Sequence, residues 1–519
     1  MHTVELVVGL LSVIAILGVA ADRARLPYPA VLVLGGIVLG LIPGLPAVRL
    51  DPRLVLFGFI PLLVYSAAFR AARYDLRAHA LHIIGLATGL VLLTVVAVGA
   101  VGHFVGGIGW APAFVFGALA APTDPVSASA VMSQVGAPER IVAILEGESL
   151  INDGTGLAVF QVAVAAVAGG FSPGHGALKL IEISAGGTAV GLAVGWLSVR
   201  IRRPLDAPAI EIVLGLVAAF GSYVAADAAG FSGVLAAVAA GVYTGGHALD
   251  ISSPQSRLRM EPVWDAATFV LESVLFLLIG LQLGSIVDGI PHGQAWTAVA
   301  TGVAAIAVSI GLRFIWMFAV SPLLSLLFPA RIAPTAARQA IVLSWSGMRG
   351  ALSLAGALSI PLMAGSQRFP ARDEVIFLVY CIVLGTLIIP SFTLKALVRR
   401  LGLGQSERLR EQELDARTRI AHAALTQLEE IAQEQEVSED LLARLRAVYE
   451  LRLSRIESSS REPSDDQDPG HGPDMHDLRK RLVAAQYHAL AEIRAERAAP
   501  ADALARIRHD IDLEETRLR

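Results

Sequence analysis

Cysteine is nearly missing from this chain and charge is scarce over most of it. The one cysteine, Cys381, lies in an apolar run, which excludes a disulfide framework and a thiol-bound metal. Charged residues make up 17% of the 519 residues, and half of them, 43 of 86, fall in residues 401–519. No phosphate loop, zinc-ligand spacing or nucleophile elbow is present, so no resident cofactor is expected and the chain does not read as an enzyme. No basic patch points to nucleic acid. No basic segment precedes the first apolar run, Val4–Ala21, so it reads as a span and not as a cleaved leader. No glycine-rich carbonyl filter, as a channel would need, appears.

Apolar residues dominate instead. They make up 55% of the chain, with mean hydropathy +0.62, the profile of a polytopic membrane protein. Residues 1–400 read as an all-α membrane domain and 401–519 as a helical tail. Thirteen runs are long and apolar enough to be spans: 3–21, 28–43, 54–69, 80–106, 111–132, 146–169, 180–199, 208–229, 231–246, 263–283, 295–320, 339–362 and 375–398. With the N-terminus outside, thirteen arginines fall in inside loops against five basic residues outside, the bias that keeps positive charge cytoplasmic. The expected location is the plasma (inner) membrane, with the tail in the cytoplasm. The tail reads as two amphipathic stretches, 406–457 and 478–517, with Leu414, Ala421, Leu425, Leu428 and Ala432 as a loose apolar stripe. Ser458–Asp474 between them is rich in Ser, Pro, Asp and Gly and reads as a linker. The tail could bind a regulator, stabilise a dimer, or be a solvated appendage.

Two spans carry interruptions. The fifth holds Ala121-Pro122-Thr123-Asp124-Pro125, where two prolines break an intramembrane helix. The twelfth holds Ser346-Gly347-Met348-Arg349-Gly350, an arginine between glycines. Their spacing divides the spans into two six-span halves, with the seventh as connector. Interrupted segments at corresponding positions of two halves point to a transport site. Near them, inside a hydrophobic span, lies Glu146-Gly147-Glu148-Ser149-Leu150-Ile151-Asn152-Asp153-Gly154. A charge at the bilayer centre costs from about 3 to more than 10 kcal/mol, so such residues face water, an ion or a partner. A carboxylate in a partly dehydrated cavity holds its proton more tightly than one in water. Asp153 is therefore expected to take a proton or a small cation in turn, and that competition makes an exchanger. Ser149, one turn earlier, Asp124 and an unwound carbonyl near Thr123 can supply the further oxygens that an alkali cation needs.

Thr123-Asp124-Pro125-Val126-Ser127-Ala128, the Glu146–Gly154 segment and Gly347-Met348-Arg349-Gly350-Ala351 together resemble the monovalent cation:proton antiporter-1 family, the sodium/proton exchangers of the NHE and NhaP type. Ser232-Gly233-Val234-Leu235-Ala236 and Phe276-Leu277-Leu278-Ile279-Gly280 are similar to it as well, so the likeness covers about residues 5–400. The resemblance implies thirteen spans in two inverted six-helix repeats, crossed broken helices, and a homodimer in which a core domain moves against a dimerisation domain. It implies that Asp153 binds ion and proton, that Asn152 steadies the site, and that Thr123, Asp124 and Ser149 are ion ligands. It also implies that Glu148 pairs with an arginine of the eleventh span, where Arg313 stands, and that Arg349 balances charge beside the second break. Two positions depart from the pattern. Ser66 stands where many relatives have a glutamate, and Glu272 stands where bacterial relatives have a neutral amide. Both bear on ion access or tuning.

The leading expectation is a secondary antiporter that exchanges Na⁺, or K⁺ or Li⁺, for H⁺. Asn152 cannot ionise and Arg313 does not release a proton, so one proton is expected per monovalent cation and the exchange is electroneutral. The competing readings are a gated cation channel with the tail as gate, and a membrane enzyme using Asp124 and Asp153 as an aspartyl pair.

Overall fold

A computed structural model describes residues 2–517 apart from 25, 43–51, 72–79, 125, 127, 130, 133–136, 170–172, 204, 206, 252, 291–294, 328–335, 404–405, 435–438, 458–472 and 497. The chain forms two compact units. The first comprises Met1–Leu205, Ala209–Ile251 and Val263–Gly404, and the second Asp206–Pro208, Ser252–Pro262 and Gln405–Arg519.

The first unit is helical and membrane-spanning. Helix lies in each of the thirteen expected runs. Among the described residues, eight helices are long and apolar enough to cross a bilayer. They include α1 (His2–Ala24), whose apolar side chains are mostly exposed, as a lipid-facing helix requires. The other principal helices are α2 (Tyr28–Gly40), α3 (Ile60–Ala71), α4 (Val91–Phe104), α5 (Trp110–Ala120), α6 (Glu139–Val167), α7 (Pro173–Arg202), α8 (Pro208–Ala228), α9 (Gly233–Gly246), α10 (Pro254–Leu281), α11 (Ala295–Ile315), α12 (Ala337–Trp345), α13 (Ala351–Leu358) and α14 (Arg372–Arg400). Gly230, at φ +76°, forms the turn that separates α8 from α9. One small departure from an all-helical unit is the antiparallel pair β1 (Met363–Ala364) and β2 (Gln367–Arg368). Arg202, one of the thirteen arginines counted in inside loops, is instead buried, with Nη2 3.6 Å from the buried Glu211.

Both interruptions form. α5 stops at Ala120, and Ala121–Asp124 is non-helical; Pro122 has no N–H with which to continue the ladder. α12 stops at Trp345, and Ser346–Gly350 is unwound before α13 begins. The two breaks touch. The Asp124 backbone N–H donates to the Met348 carbonyl at 2.8 Å. α2 and α10 also cross at close range, because a Cβ on Gly36 would strike the Leu277 carbonyl and one on Gly280 would strike the Val33 carbonyl. Small residues permit this approach where lipid offers no hydrophobic drive.

The second unit holds four tail helices where two stretches were expected: α15 (Ser406–Glu434), α16 (Glu439–Glu457), α17 (Pro473–Glu496) and α18 (Ala501–Arg517). Pro500, which lacks an N–H, separates the last two, and its carbonyl accepts from Leu504 N–H at 2.9 Å. Most of the expected linker, residues 458–472, lies outside the described residues. The buried stripe of α15 runs through Ala416, Ile420, Ala421, Ala424, Leu428 and Ile431, so Ala421 and Leu428 of the expected stripe are buried. Leu414, Leu425 and Ala432 are half-buried at its edge. Burial works against ionisation of Glu413 on α15, but the Arg506 and Arg417 guanidinia beside it hold its carboxyl below the usual range.

Candidate functional site

Helical periodicity sorts the acidic motif of α6 into two faces. Glu146, Ser149, Leu150 and Asp153 are three and four residues apart and share one face; Glu148 and Asn152 share another. The first face lines a cavity of about 380 Å³, and the second is buried in the protein. The first break contributes Pro122, Thr123 and Asp124 to the cavity wall, and the second contributes Gly350. The cavity therefore brings together Thr123, Asp124, Ser149 and Asp153.

Asp153 differs from the other acids of this cavity. Asp124 Oδ1 accepts from the Val126 backbone N–H at 3.0 Å. Glu272 Oε2 accepts from Tyr28 Oη at 2.9 Å, and Asp265 Oδ1 accepts from Arg70 Nη1 at 3.1 Å. Glu146 has a partner too. Asp153 is half-buried and faces the cavity, yet no described residue donates a hydrogen bond to it. A carboxylate withdrawn from bulk water, with no donor among the described residues, is costly unless a proton or a cation completes it.

The buried face of α6 supports that carboxylate from behind. Asn152 Nδ2 donates to Thr123 Oγ1 at 2.7 Å, and Thr123 Oγ1 donates to Glu148 Oε1 at 3.3 Å. Arg313 grips both oxygens of Glu148, with Nη2 to Oε2 at 2.6 Å, and its Nε donates to the Leu343 carbonyl at 2.8 Å. One network thus ties the first break to α6, α11 and α12. Arg349 does comparable work between the breaks. Its Nε donates to the Ala120 carbonyl at 2.9 Å and its Nη1 to the Gly347 carbonyl at 2.6 Å. These are carbonyls left unpaired at the ends of α5 and α12, where the helix dipole favours a cation.

Glu272 lines the cavity, but Ser66 does not; Ser66 is buried beside lining residues Leu63, Val64 and Ala67. Sequence reasoning passed over Tyr28, Arg70 and Asp265 as site residues. The signal for Asp265 lay in α10, where Asp265, Thr268, Phe269, Glu272, Leu275 and Phe276 recur at helical spacing, and all of them line the cavity. Nothing local marked Tyr28, whose role depends on the α2–α10 crossing. Arg70 and Asp265, partly exposed, mark the end of the cavity nearer water.

Residues 9–400 match the sequence profile described as the transmembrane sodium/hydrogen exchanger family. An uncharacterised Na⁺/H⁺ exchanger of Mycobacterium tuberculosis is 31% identical over 529 aligned residues, covering 99% of this chain and 95% of its own. The Na⁺/H⁺ antiporter NhaG of Bacillus atrophaeus is 26% identical, covering 95% of this chain and 94% of its own. Among solved structures, the sodium proton antiporter MjNhaP1 of Methanocaldococcus jannaschii superposes with a TM-score of 0.60 at 20% identity, over 78% of this chain and all of that one, which establishes a shared fold.

Proposed function

Because this chain belongs to the sodium/hydrogen exchanger family, we propose that it exchanges Na⁺ for H⁺, one for one, at Asp153. The observation that carries this reading is the Asp153 carboxylate, which faces the cavity with no described protein donor while every other acid of the wall is engaged. Sodium occupying that carboxylate, with oxygens from Asp124, Ser149 and Thr123, displaces the proton. Protonation removes the charge that held the ion. K⁺ and Li⁺ are the alternative cargoes, since the same oxygens serve all three. Asn152 and Glu148 steady the binding face, Arg313 and Arg349 balance its charge, and Glu272 tunes access. Membership of a transporter family sets aside the aspartyl-enzyme reading, and competition at one carboxylate is favoured over a gated channel.

The architecture that goes with this function has thirteen spans in two inverted halves, moving around the crossed breaks, in a homodimer. Residues 1–400 form the transport domain. The N-terminus lies outside and the 401–519 tail in the cytoplasm of a cell bounded by this membrane. Arg70 and Asp265 then stand at the cytoplasmic end, and the cavity is the inward-facing ion path.

Two measurements test this reading. In everted vesicles, added Na⁺ should dissipate an imposed ΔpH in a saturable way, with K⁺ and Li⁺ added in turn to rank the cargoes. In proteoliposomes, the initial rate should be the same at either sign of an imposed membrane potential, because one charge crosses each way. A rate that follows voltage would overturn the one-to-one stoichiometry.

Gly350 supplies a sharper local test. Its backbone, at φ −126° and ψ −159°, suits any residue, so the need for glycine is one of space. A Cβ there would run into the Asp124 carboxylate. Gly350→Ala should therefore displace Asp124 and weaken apparent Na⁺ affinity by roughly tenfold, the equivalent of ~1.4 kcal/mol of overpacking. The Na⁺ dependence of ΔpH dissipation reads this directly, and an unchanged affinity would exclude Asp124 from the ion's surroundings.

A further inference from the structure

α10 is shared between the two units. Its first turns, through Pro262, group with the tail helices, and from Val263 onward it groups with the membrane helices. Within the second unit, Arg257 on those first turns is held by two tail helices. Its Nε donates to Asp512 Oδ2 of α18 at 3.1 Å, and its Nη2 donates to Tyr487 Oη of α17 at 3.0 Å and to Asp512 Oδ1. Tyr487 Oη also donates to Asp512 Oδ1, and the guanidinium carbon lies 5.9 Å from the Tyr487 ring centroid. One turn further along each helix, Glu261 faces Arg508 at 3.7 Å. The two helices thus oppose charges at i and i+4 in antiparallel order.

This grip is buried. The Asp512 side chain is 2% exposed and that of Arg257 10%. A surface ion pair contributes little, whereas a desolvated, hydrogen-bonded charge pair fixes geometry, because either member left alone is costly. About four turns beyond Arg257, the same helix presents Phe269 and Glu272 to the cavity. Pro262 lies between, and without an N–H it leaves the Leu258 carbonyl free of its usual helical bond. A helix weakened at that point bends easily unless its end is held.

We propose that the tail grips the start of α10 through Arg257, Tyr487 and Asp512 and thereby positions the face of that helix along which the cation reaches Asp153. These three are positioning residues, and the proposal rests on the cavity being the transport path. The tail is then a working part of the transporter, with α10 as its handle.

The test uses the full-length protein in proteoliposomes, with Arg257→Gln, Asp512→Asn, the double variant and the milder Tyr487→Phe. Amide hydrogen exchange is followed at 254–261 and 501–517, and the Na⁺ dependence of proton flux is measured on the same samples. Each single variant should speed exchange in both segments and raise the apparent KM for Na⁺ at least about threefold, with turnover at saturating Na⁺ within about twofold of wild type. The double variant should be no worse than the poorer single, since one interaction is lost in either case. Tyr487→Phe, which removes a single hydroxyl, should shift both readouts the same way by less, and it decides the matter where a charge variant fails to insert. Faster exchange with an unmoved KM overturns the positioning role, and unchanged exchange overturns the grip. A wild type that moves no cation would refute the transport reading, while the exchange measurement would still report on the grip.

Discussion

Asp153→Asn is expected to reduce cation-dependent proton movement to that of vesicles without the protein, for Na⁺, K⁺ and Li⁺ alike. An amide is nearly the same size as a carboxylate but neither takes up a proton nor carries the charge that draws in a cation. Both halves of the exchange fail together, because both use the same oxygens. Misfolding is not the expected route. No described residue donates to Asp153, so the amide breaks no hydrogen bond with a described residue, and removing a partly desolvated charge relieves a cost. The variant should therefore reach the membrane at wild-type levels and unfold no earlier. Expression, thermal unfolding in detergent and ΔpH dissipation in everted vesicles check all three. An undiminished rate in a properly inserted Asp153→Asn protein would end the one-carboxylate account.

How much of this site was readable from the chain depends on how local each signal was. Pro122 and Pro125 flanking Thr123-Asp124, and Gly347 and Gly350 flanking Arg349, mark their helix breaks in a few residues, and both breaks appear where expected at the positions described. The division of Ser149 and Asp153 from Glu148 and Asn152 follows from helical spacing alone. The Glu148–Arg313 pair joins residues 165 apart, and only family likeness pointed to it. Tyr28 was out of reach, because its hydroxyl meets Glu272 through a crossing of α2 and α10 that depends on Gly36 and Gly280, separated in the chain by 244 residues between the bonded pair. The same holds for Arg202, which looked like a loop cation because it follows the apolar run 180–199 in a cluster with Arg200 and Arg203, and which is buried, with Glu211 on the next helix beside it. In the tail, helical spacing placed Ala421 and Leu428 on the buried face of α15 but left Leu414, Leu425 and Ala432 at its edge, and four helices were read as two stretches, with Pro500 not weighed as a break. The grouping of Ser252–Pro262 with the tail had no sequence signature at all, since it depends on Arg257 finding Asp512.

Glu148→Ala should be among the most destabilising single changes in the membrane unit. It leaves the Arg313 guanidinium buried, at 3% side-chain exposure, with its Nε–Leu343 bond intact but its two carboxylate bonds gone. Breaking a buried pair in this way costs about 3–5 kcal/mol. Thr123 loses its acceptor in the same step, and with it the Asn152–Thr123 bond loses the anchor that holds the first break against α6. Arg313→Ala should cost a similar amount, because it strands Glu148 instead. The informative variant is the double replacement by neutral, well-packed residues, Glu148→Gln with Arg313→Met. A buried pair exchanged whole for uncharged groups is often close to neutral in stability, so the double variant should recover most of what either alanine loses. It should not recover exchange at the wild-type rate, since Arg313 also holds the Leu343 carbonyl beside the second break. Thermal unfolding of the purified protein in detergent measures the first quantity and proteoliposome flux the second. If either alanine variant costs less than about 1 kcal/mol, the pair behaves like a surface salt bridge and cannot be what holds the two breaks to α6.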